Sequence, residues 1–139
     1  MSWIFEEEIF TSDKIEKNVG YVYLIENLLT GKKYIGKKLF KFRKTKQVNK
    51  KRKRISVDSD WETYWSSSDS LKKDVKDFGE HNFKRTILKL CKTKSECNYW
   101  EAHYQFGYEV LLYPDMFYNE WIMVRVRRNQ LLTNTHKLV

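Results

Sequence analysis

The stretch from Gly20 to Gly36 does most to limit how this chain folds. Residues 20–26 read GYVYLIE, dense in β-branched and aromatic residues, and predict a strand. Residues 27–31 (NLLTG) read as a turn ending in glycine, and residues 32–36 (KKYIG) as the return strand. Together they predict a β-hairpin with a loop of about four to five residues. Side chains alternate along a strand, so Tyr21 and Tyr23 share a face. Pairing about the loop then brings Tyr34, on the return strand, near Tyr23. Strand tyrosines ordinarily serve as half-buried packing. Two neighbouring phenols are also a candidate chemical site.

The remaining elements follow from caps and periodicity. Ser66 to Phe78 opens with serines and Asp69, which are good N-caps. It carries Leu71, Val75 and Phe78 at helical spacing and stops at Gly79. Asn82 to Cys91, with Phe83, Ile87, Leu88 and Leu90, reads as a third strand. Thr93 or Ser95 caps a second helix running to about Leu111, striped by Cys97, Trp100, Tyr104, Tyr108 and Leu111. Met1 to Lys17 reads as a short helix or an arm. A short helix is expected near Leu39, Lys46 to Arg54 reads as an exposed loop, and Glu120 to Val139 fits helix or strand. The order predicts an α+β domain on a small sheet. No repeat or Gly/Ser/Pro-rich linker divides the 139 residues, so residues 1–139 read as a single domain.

Charge narrows the function. Of 27 basic residues, 13 lie between Lys32 and Arg54, where no acidic residue occurs; elsewhere 14 basic residues face 18 acidic ones. A mildly acidic domain with one concentrated positive segment attracts a polyanion, nucleic acid first among them. A solvated basic loop or a nuclear address are the plainer alternatives. With 16% aromatic residues, 5 Gly and 1 Pro, the composition excludes disordered and collagen-like chains. No apolar run is long enough for a bilayer, and no charged-then-apolar leader opens the chain. Cys91 and Cys97 do not make a disulfide framework. A reducing, cytoplasmic setting without membrane association is expected.

A few residues stand out beyond the hairpin. Glu101 falls inside the apolar stripe of its helix, and a carboxylate there needs an ion pair or a metal. Mg²⁺ is one such ion, since it often takes only one or two protein carboxylates. Trp61, Tyr64 and Trp65 either stack on bases or pack in the core. Arg125, Arg127 and Arg128 offer a second phosphate-contact cluster. His81 suits a capping role after Gly79, His103 points away from Glu101, and His136 lies in the tail. Two cysteines and three scattered histidines make no structural zinc pattern.

Gly20-Tyr21-Val22-Tyr23 followed by Tyr34-Ile35-Gly36 resembles the paired motif of the GIY-YIG nucleases. The second half is literal. In the first, Tyr21 stands where the family usually has Gly, Val22 stands for Ile, and Gly20 is displaced by one position. Downstream, Trp61 to Ser68 (WETYWSSS), Leu71, Phe78-Gly79, Asn82-Phe83 and Ile87-Leu88 resemble phage-borne members. Glu101 matches the metal-binding glutamate of the family, and Asn119 its late asparagine. The resemblance spans about Val19 to Asn119. A basic insertion at about 41–57 and a C-terminal extension, 120–139, surround that core.

The resemblance implies a small domain with a three-stranded antiparallel sheet flanked by helices. It implies a DNA endonuclease using one divalent ion, Mg²⁺ or Mn²⁺, with a homing or other site-specific role in a phage or mobile element. Tyr23 would help deprotonate the attacking water, Tyr34 would position water or phosphate, and Glu101 would hold the metal. The family's arginine is expected on a helix about ten residues after Tyr34; Arg43 is the choice here, with Lys44, Lys37 and Lys38 as alternatives. Asn119 completes the catalytic set. Double-stranded DNA would be gripped by Lys38, Lys41, Lys44, Lys46, Lys50, Lys51, Arg52, Lys53 and Arg54. Cutting both strands needs a homodimer or two successive nicks. The alternative is a non-catalytic nucleic-acid-binding module of the same fold.

Overall fold

The computed structural model describes residues 1–131, apart from the side chains of Arg43 and Lys44. In chain order the elements are β1 (Trp3–Phe5), β2 (Glu8–Phe10), β3 (Gly20–Asn27), β4 (Lys33–Leu39), β5 (Lys41–Val48) and β6 (Lys51–Asp58). There follow α1 (Asp69–Phe78), β7 (Phe83–Cys91) and α2 (Lys94–Gly107). Five strands form one mixed sheet in the order β2-β1-β7-β3-β4, and β5 and β6 form a separate two-stranded ribbon. The expected three-stranded antiparallel sheet is the β7-β3-β4 part of the larger one. It is widened by β1, parallel to β7, and by β2, antiparallel to β1.

Those added strands correct the helix or arm expected over Met1 to Lys17. Each is only three residues long, too short for alternation to register in the sequence. Glu6 and Glu7 both have positive φ (50° and 70°), forming the tight turn between them. Trp3 and Phe10 pair across the hairpin and are buried.

β3 lies between β7 and β4, and Tyr21, Val22, Tyr23 and Ile25 are at most 1% exposed. Its two faces feed two cores. Tyr21, Tyr23 and Ile25 pack with Trp3, Phe40, Trp61 and with Leu71 and Val75 of α1. Val22 packs with Ile35, Cys91 and with Cys97 and Trp100 of α2. Each such apolar side chain contributes about 1.5–3 kcal/mol on burial. Tyr21 is thus a core residue, and its hydroxyl donates to the Trp61 carbonyl at 3.3 Å.

Caps set both helices. The Ser68 hydroxyl accepts from the Leu71 N–H (3.2 Å), and α1 ends at Gly79 with φ 89°. Thr93 accepts from the Glu96 N–H (3.0 Å), while the Glu96 carboxylate accepts from the Lys92 N–H (3.2 Å). The expected stripe holds through Tyr104, but α2 stops at Gly107 and Glu109 takes a positive φ of 54°. Tyr108 and Leu111 therefore lie beyond it, exposed, and Val110 takes the buried place.

The β5–β6 ribbon replaces both the helix expected near Leu39 and the loop expected from Lys46 to Arg54. Asn49 and Lys50, with φ of 49° and 63°, make its two-residue turn. Its base is fixed to the sheet. Phe40 is buried, the Ser59 N–H donates to the Phe40 carbonyl (2.8 Å), and the Ser59 hydroxyl donates to the Leu39 carbonyl (2.6 Å). After Asn119 the described chain forms no long element, only a 3₁₀ turn at Arg128–Gln130. His136 and the rest of the expected tail element lie outside the described residues.

Candidate active site

β4 is an edge strand, and a cleft of about 970 Å³ wraps round its free side. Tyr23, Tyr34 and Tyr64 line it from one face of the sheet; Lys37, Asn98, Glu101 and Gln105 line it from the α2 side. Asn119 and Arg125 also face it.

The phenols meet because β3 and β4 pair with Tyr23 opposite Gly36. The Tyr23 and Tyr34 rings are 6.1 Å apart, and Tyr64 stands edge-on to Tyr23 at 6.1 Å. Gly36 makes the arrangement possible. A Cβ there would fall 2.5 Å from Tyr23 Oη and 2.8 Å from Tyr34 Cε1. Tyr34 Oη lies 3.5 Å from Ser67 Oγ. Burial raises Tyr23 well above its ordinary value, and Tyr34, Tyr64, Tyr21 and Glu101 all push the same way. Burial also raises Tyr34 and Tyr64. At neutral pH these are hydrogen-bonding phenols, not phenolates.

The edge of β4 explains the other wall. Its outward backbone groups fall at alternate residues and must find partners. The Lys33 N–H donates to the Met116 carbonyl (2.8 Å), and the Lys33 carbonyl accepts from the Tyr118 N–H (2.8 Å). Asn119 clasps Ile35: its Oδ1 accepts the Ile35 N–H (3.1 Å), and its Nδ2 donates to the Ile35 carbonyl (2.8 Å). Gln105 Nε2 donates to the same carbonyl at 2.9 Å. The next outward N–H, that of Lys37, is taken by the Glu101 carboxylate. Burial pushes Glu101 up to about 7, against a weaker lowering by the Lys37 ammonium and N–H. The Lys37 ammonium itself donates to Asn98 Oδ1.

The donor set suits a hard cation. Glu101 is a half-shielded carboxylate in an open cleft. Among the described residues no group of three or more His, Cys, Asp or Glu could hold a metal ion. One carboxylate, completed by water and substrate oxygens, is the arrangement Mg²⁺ accepts; Glu101 is the residue that would hold it.

The cleft brings together Tyr23, Tyr34, Lys37, Glu101 and Asn119 from the expected catalytic set. Asn119 spends its amide on Ile35, which makes it a positioning residue. Arg43 lies in β5, opposite Ser56, and not on a helix; its side chain, like that of Lys44, lies outside the described part. Lys38 is held by Asp60 at 2.6 Å and sits 4.0 Å over the Tyr64 ring. Lys41 meets Asp58 at 3.8 Å in an exposed pair. Lys46, Lys50, Lys51, Arg52, Lys53 and Arg54 stand exposed on the ribbon. Trp61 is core, and Trp65 packs on Phe83.

Several contributors escape sequence reasoning. Asn98 and Gln105 flank the expected Glu101 at helical spacing, which is the signal that finds them. Arg85 gave none. Its guanidinium lies between Trp3 and Trp65 (4.6 and 4.5 Å) and donates to the carbonyls of Tyr64 (2.9 Å), Glu62 (3.1 Å) and Met1. It thereby fixes the segment that presents Tyr64.

The family model described as "Putative endonuclease segE, GIY-YIG domain" matches residues 3–122. The chain is 36% identical over 81 residues to the "Putative endonuclease segE" of Enterobacteria phage T4, covering 58% of this chain and 31% of that protein. It thus spans about a third of the length of that relative. No solved structure matches. With the paired tyrosines, the glycine beneath them and the match over residues 3–122, the chain belongs to the GIY-YIG endonuclease family.

Proposed function

We propose that this chain is a DNA endonuclease that hydrolyses a phosphodiester bond in the cleft along β4, with one Mg²⁺ or Mn²⁺ held by Glu101. The observation that carries this reading is the convergence of Tyr23, Tyr34, Lys37 and Glu101 on one cleft. When bound, the ion neutralises charge developing on the phosphoryl oxygens.

The protein's own residues do the rest. Tyr23 and Tyr34 hold the attacking water through their hydroxyls, and Tyr64 and Ser67 support them. Burial makes Tyr23 a poor free base, so it relays the proton of the attacking water through the Tyr64 and Ser67 hydroxyls to solvent in the cleft. Lys37 and Arg125, which both line the cleft, supply positive charge to the phosphate. Asn119 keeps the backbone of β4 in place between Tyr34 and Lys37. Attack in line by a held water needs no covalent intermediate.

An endonuclease role in a phage fits the name and origin of the T4 relative, and the role proposed for this chain is homing or other site-specific cutting. The core, the basic ribbon and the C-terminal extension act as one domain in this reading. The host cytoplasm is the place where it would meet duplex DNA. A single cleft cuts one strand, so a double-strand break takes a homodimer or two nicks.

One observation favours a second reading, a non-catalytic DNA-binding module: residues 37–60 form strands and their turns and no helix, so Arg43, in β5, does not take the helical position of the family arginine. Supercoiled plasmid separates the two. Cutting with Mg²⁺ and not with EDTA, lost in Glu101→Ala while binding persists, supports the nuclease. Retardation without cutting by either protein supports the module. Open-circle or linear product distinguishes nicking from double-strand cleavage.

A further inference from the structure

We propose that the β5–β6 ribbon reads DNA sequence, entering the major groove with Thr45, Gln47, Arg52 and Arg54 toward the base edges. The inference rests on the DNA-cleaving reading for its substrate.

The register carries it. Thr45 pairs with Arg54 and Gln47 with Arg52, so these four share one face. Lys46 pairs with Lys53 and Val48 with Lys51, with the Lys46 and Lys53 pair on the opposite face. A merely solvated basic loop gives no reason to gather Arg52 and Arg54 beside Gln47 in this way. Arginine reads guanine O6 and N7 with a two-pronged fork, and glutamine reads adenine N6 and N7. Lysine acts as a point charge suited to phosphate. Toward the tip, one face therefore holds Thr45, Gln47, Arg52 and Arg54, which can tell bases apart, and the Lys46–Lys53 pair on the other face holds charge alone.

The shape agrees. The ribbon projects from the sheet and its main contacts are between its own strands. The major groove of B-form DNA, about 12 Å wide, admits a two-stranded ribbon. The deep, narrow major groove of RNA does not. Lys46 and Lys53, directly opposite each other, repel in the free protein. A polyanion against that face relieves the repulsion.

The ribbon is also registered to the chemistry. β4, which carries Tyr34 and Lys37, continues through buried Phe40 into β5, and Ser59 ties the returning strand to Leu39 and Phe40. The roughly twelve residues from Lys37 to Asn49 span at most about 40 Å. At about 3.4 Å per base pair, the bases read lie within roughly 12 base pairs of the cut.

The test selects duplexes from a random-sequence pool with wild-type protein in EDTA, then repeats it with two sets of variants. Wild type should enrich a short motif containing guanine or adenine. Arg52→Lys with Arg54→Lys, which keeps the charge, should reduce preference at one or two positions by about 5- to 150-fold. The dependence of affinity on salt should stay the same. Lys46→Gln with Lys53→Gln should keep the motif and lower the salt slope by about 0.9 for each phosphate that is no longer neutralised. No enriched motif in wild type, or a motif unmoved by the arginine variants, overturns the proposal. Plasmid cutting with Mg²⁺ is scored separately. Cutting with an unmoved motif sinks only the ribbon; a ribbon-dependent motif without cutting sinks only the nuclease.

Discussion

Glu101→Gln should make the protein more stable and less active, and the gain should depend on pH. The folded carboxyl titrates near 7 where an unshielded one titrates at 4.5. Between those values the folded state holds a proton that the unfolded state has lost, so stability falls as pH rises through the window. Holding the carboxyl at about 7 in place of 4.5 puts the full cost at about 3 kcal/mol above pH 7. Below pH 4.5 the carboxyl is protonated in both states and the cost disappears. Glutamine keeps an oxygen for the Lys37 N–H and carries no charge, so it escapes the penalty. Urea unfolding in EDTA at pH 4, 6 and 8 should show wild type and variant converging at pH 4, with the variant ahead by up to about 3 kcal/mol at pH 8. Adding Mg²⁺ at pH 8 should stabilise wild type only, as ligand binding to the folded state does. A pH-independent difference, or equal stabilisation of both proteins by Mg²⁺, would refute a buried, metal-binding carboxylate.

Three further outcomes follow from the cleft. Gly36→Ala drives a Cβ into Tyr23 and Tyr34, and should cost about 1–3 kcal/mol in urea unfolding; plasmid nicking should fall with it. Tyr23→Phe removes one buried hydroxyl and should cut the nicking rate by about 10²–10⁴-fold with duplex affinity kept, measured by single-turnover cleavage beside a binding titration. Asn119→Ala leaves the Ile35 N–H unpaired and should destabilise by about 1–3 kcal/mol, while Asn119→Asp, which can still accept that N–H, should recover part of the loss.

The hairpin and its tyrosine pair were legible because β3 and β4 are long enough for alternation to show. α1 was legible from Ser68 and Gly79, and α2 from Thr93 and a stripe that holds to Tyr104. β1 and β2 were not: three residues carry no period, and Glu6 and Glu7 are unusual residues at positive φ. The ribbon was hidden for a different reason. Basic residues on both faces erase the contrast between inside and outside, leaving only Asn49 as a turn signal. In the site, Tyr23 and Tyr34 follow from the hairpin and Glu101 from its place in the α2 stripe, the family motif giving all three their roles, and Lys37 follows from its place beside Gly36. Arg85 and the Asn119 clasp depend on where the segments at 61–65 and 116–119 cross the sheet, which no local pattern encodes.

Phe40 and Ser59 are joined by a backbone hydrogen bond, so the ribbon leaves and re-enters the domain through a closed gate. Lengthening or exchanging residues 41–58 therefore need not disturb β4, and closing a longer loop costs little, about 0.6 kcal/mol per doubling. If the ribbon reads the target and the cleft cuts it, as proposed, the two functions can drift separately. On the proposed reading, one hairpin carries the address and can be swapped while the cleft along β4 stays untouched.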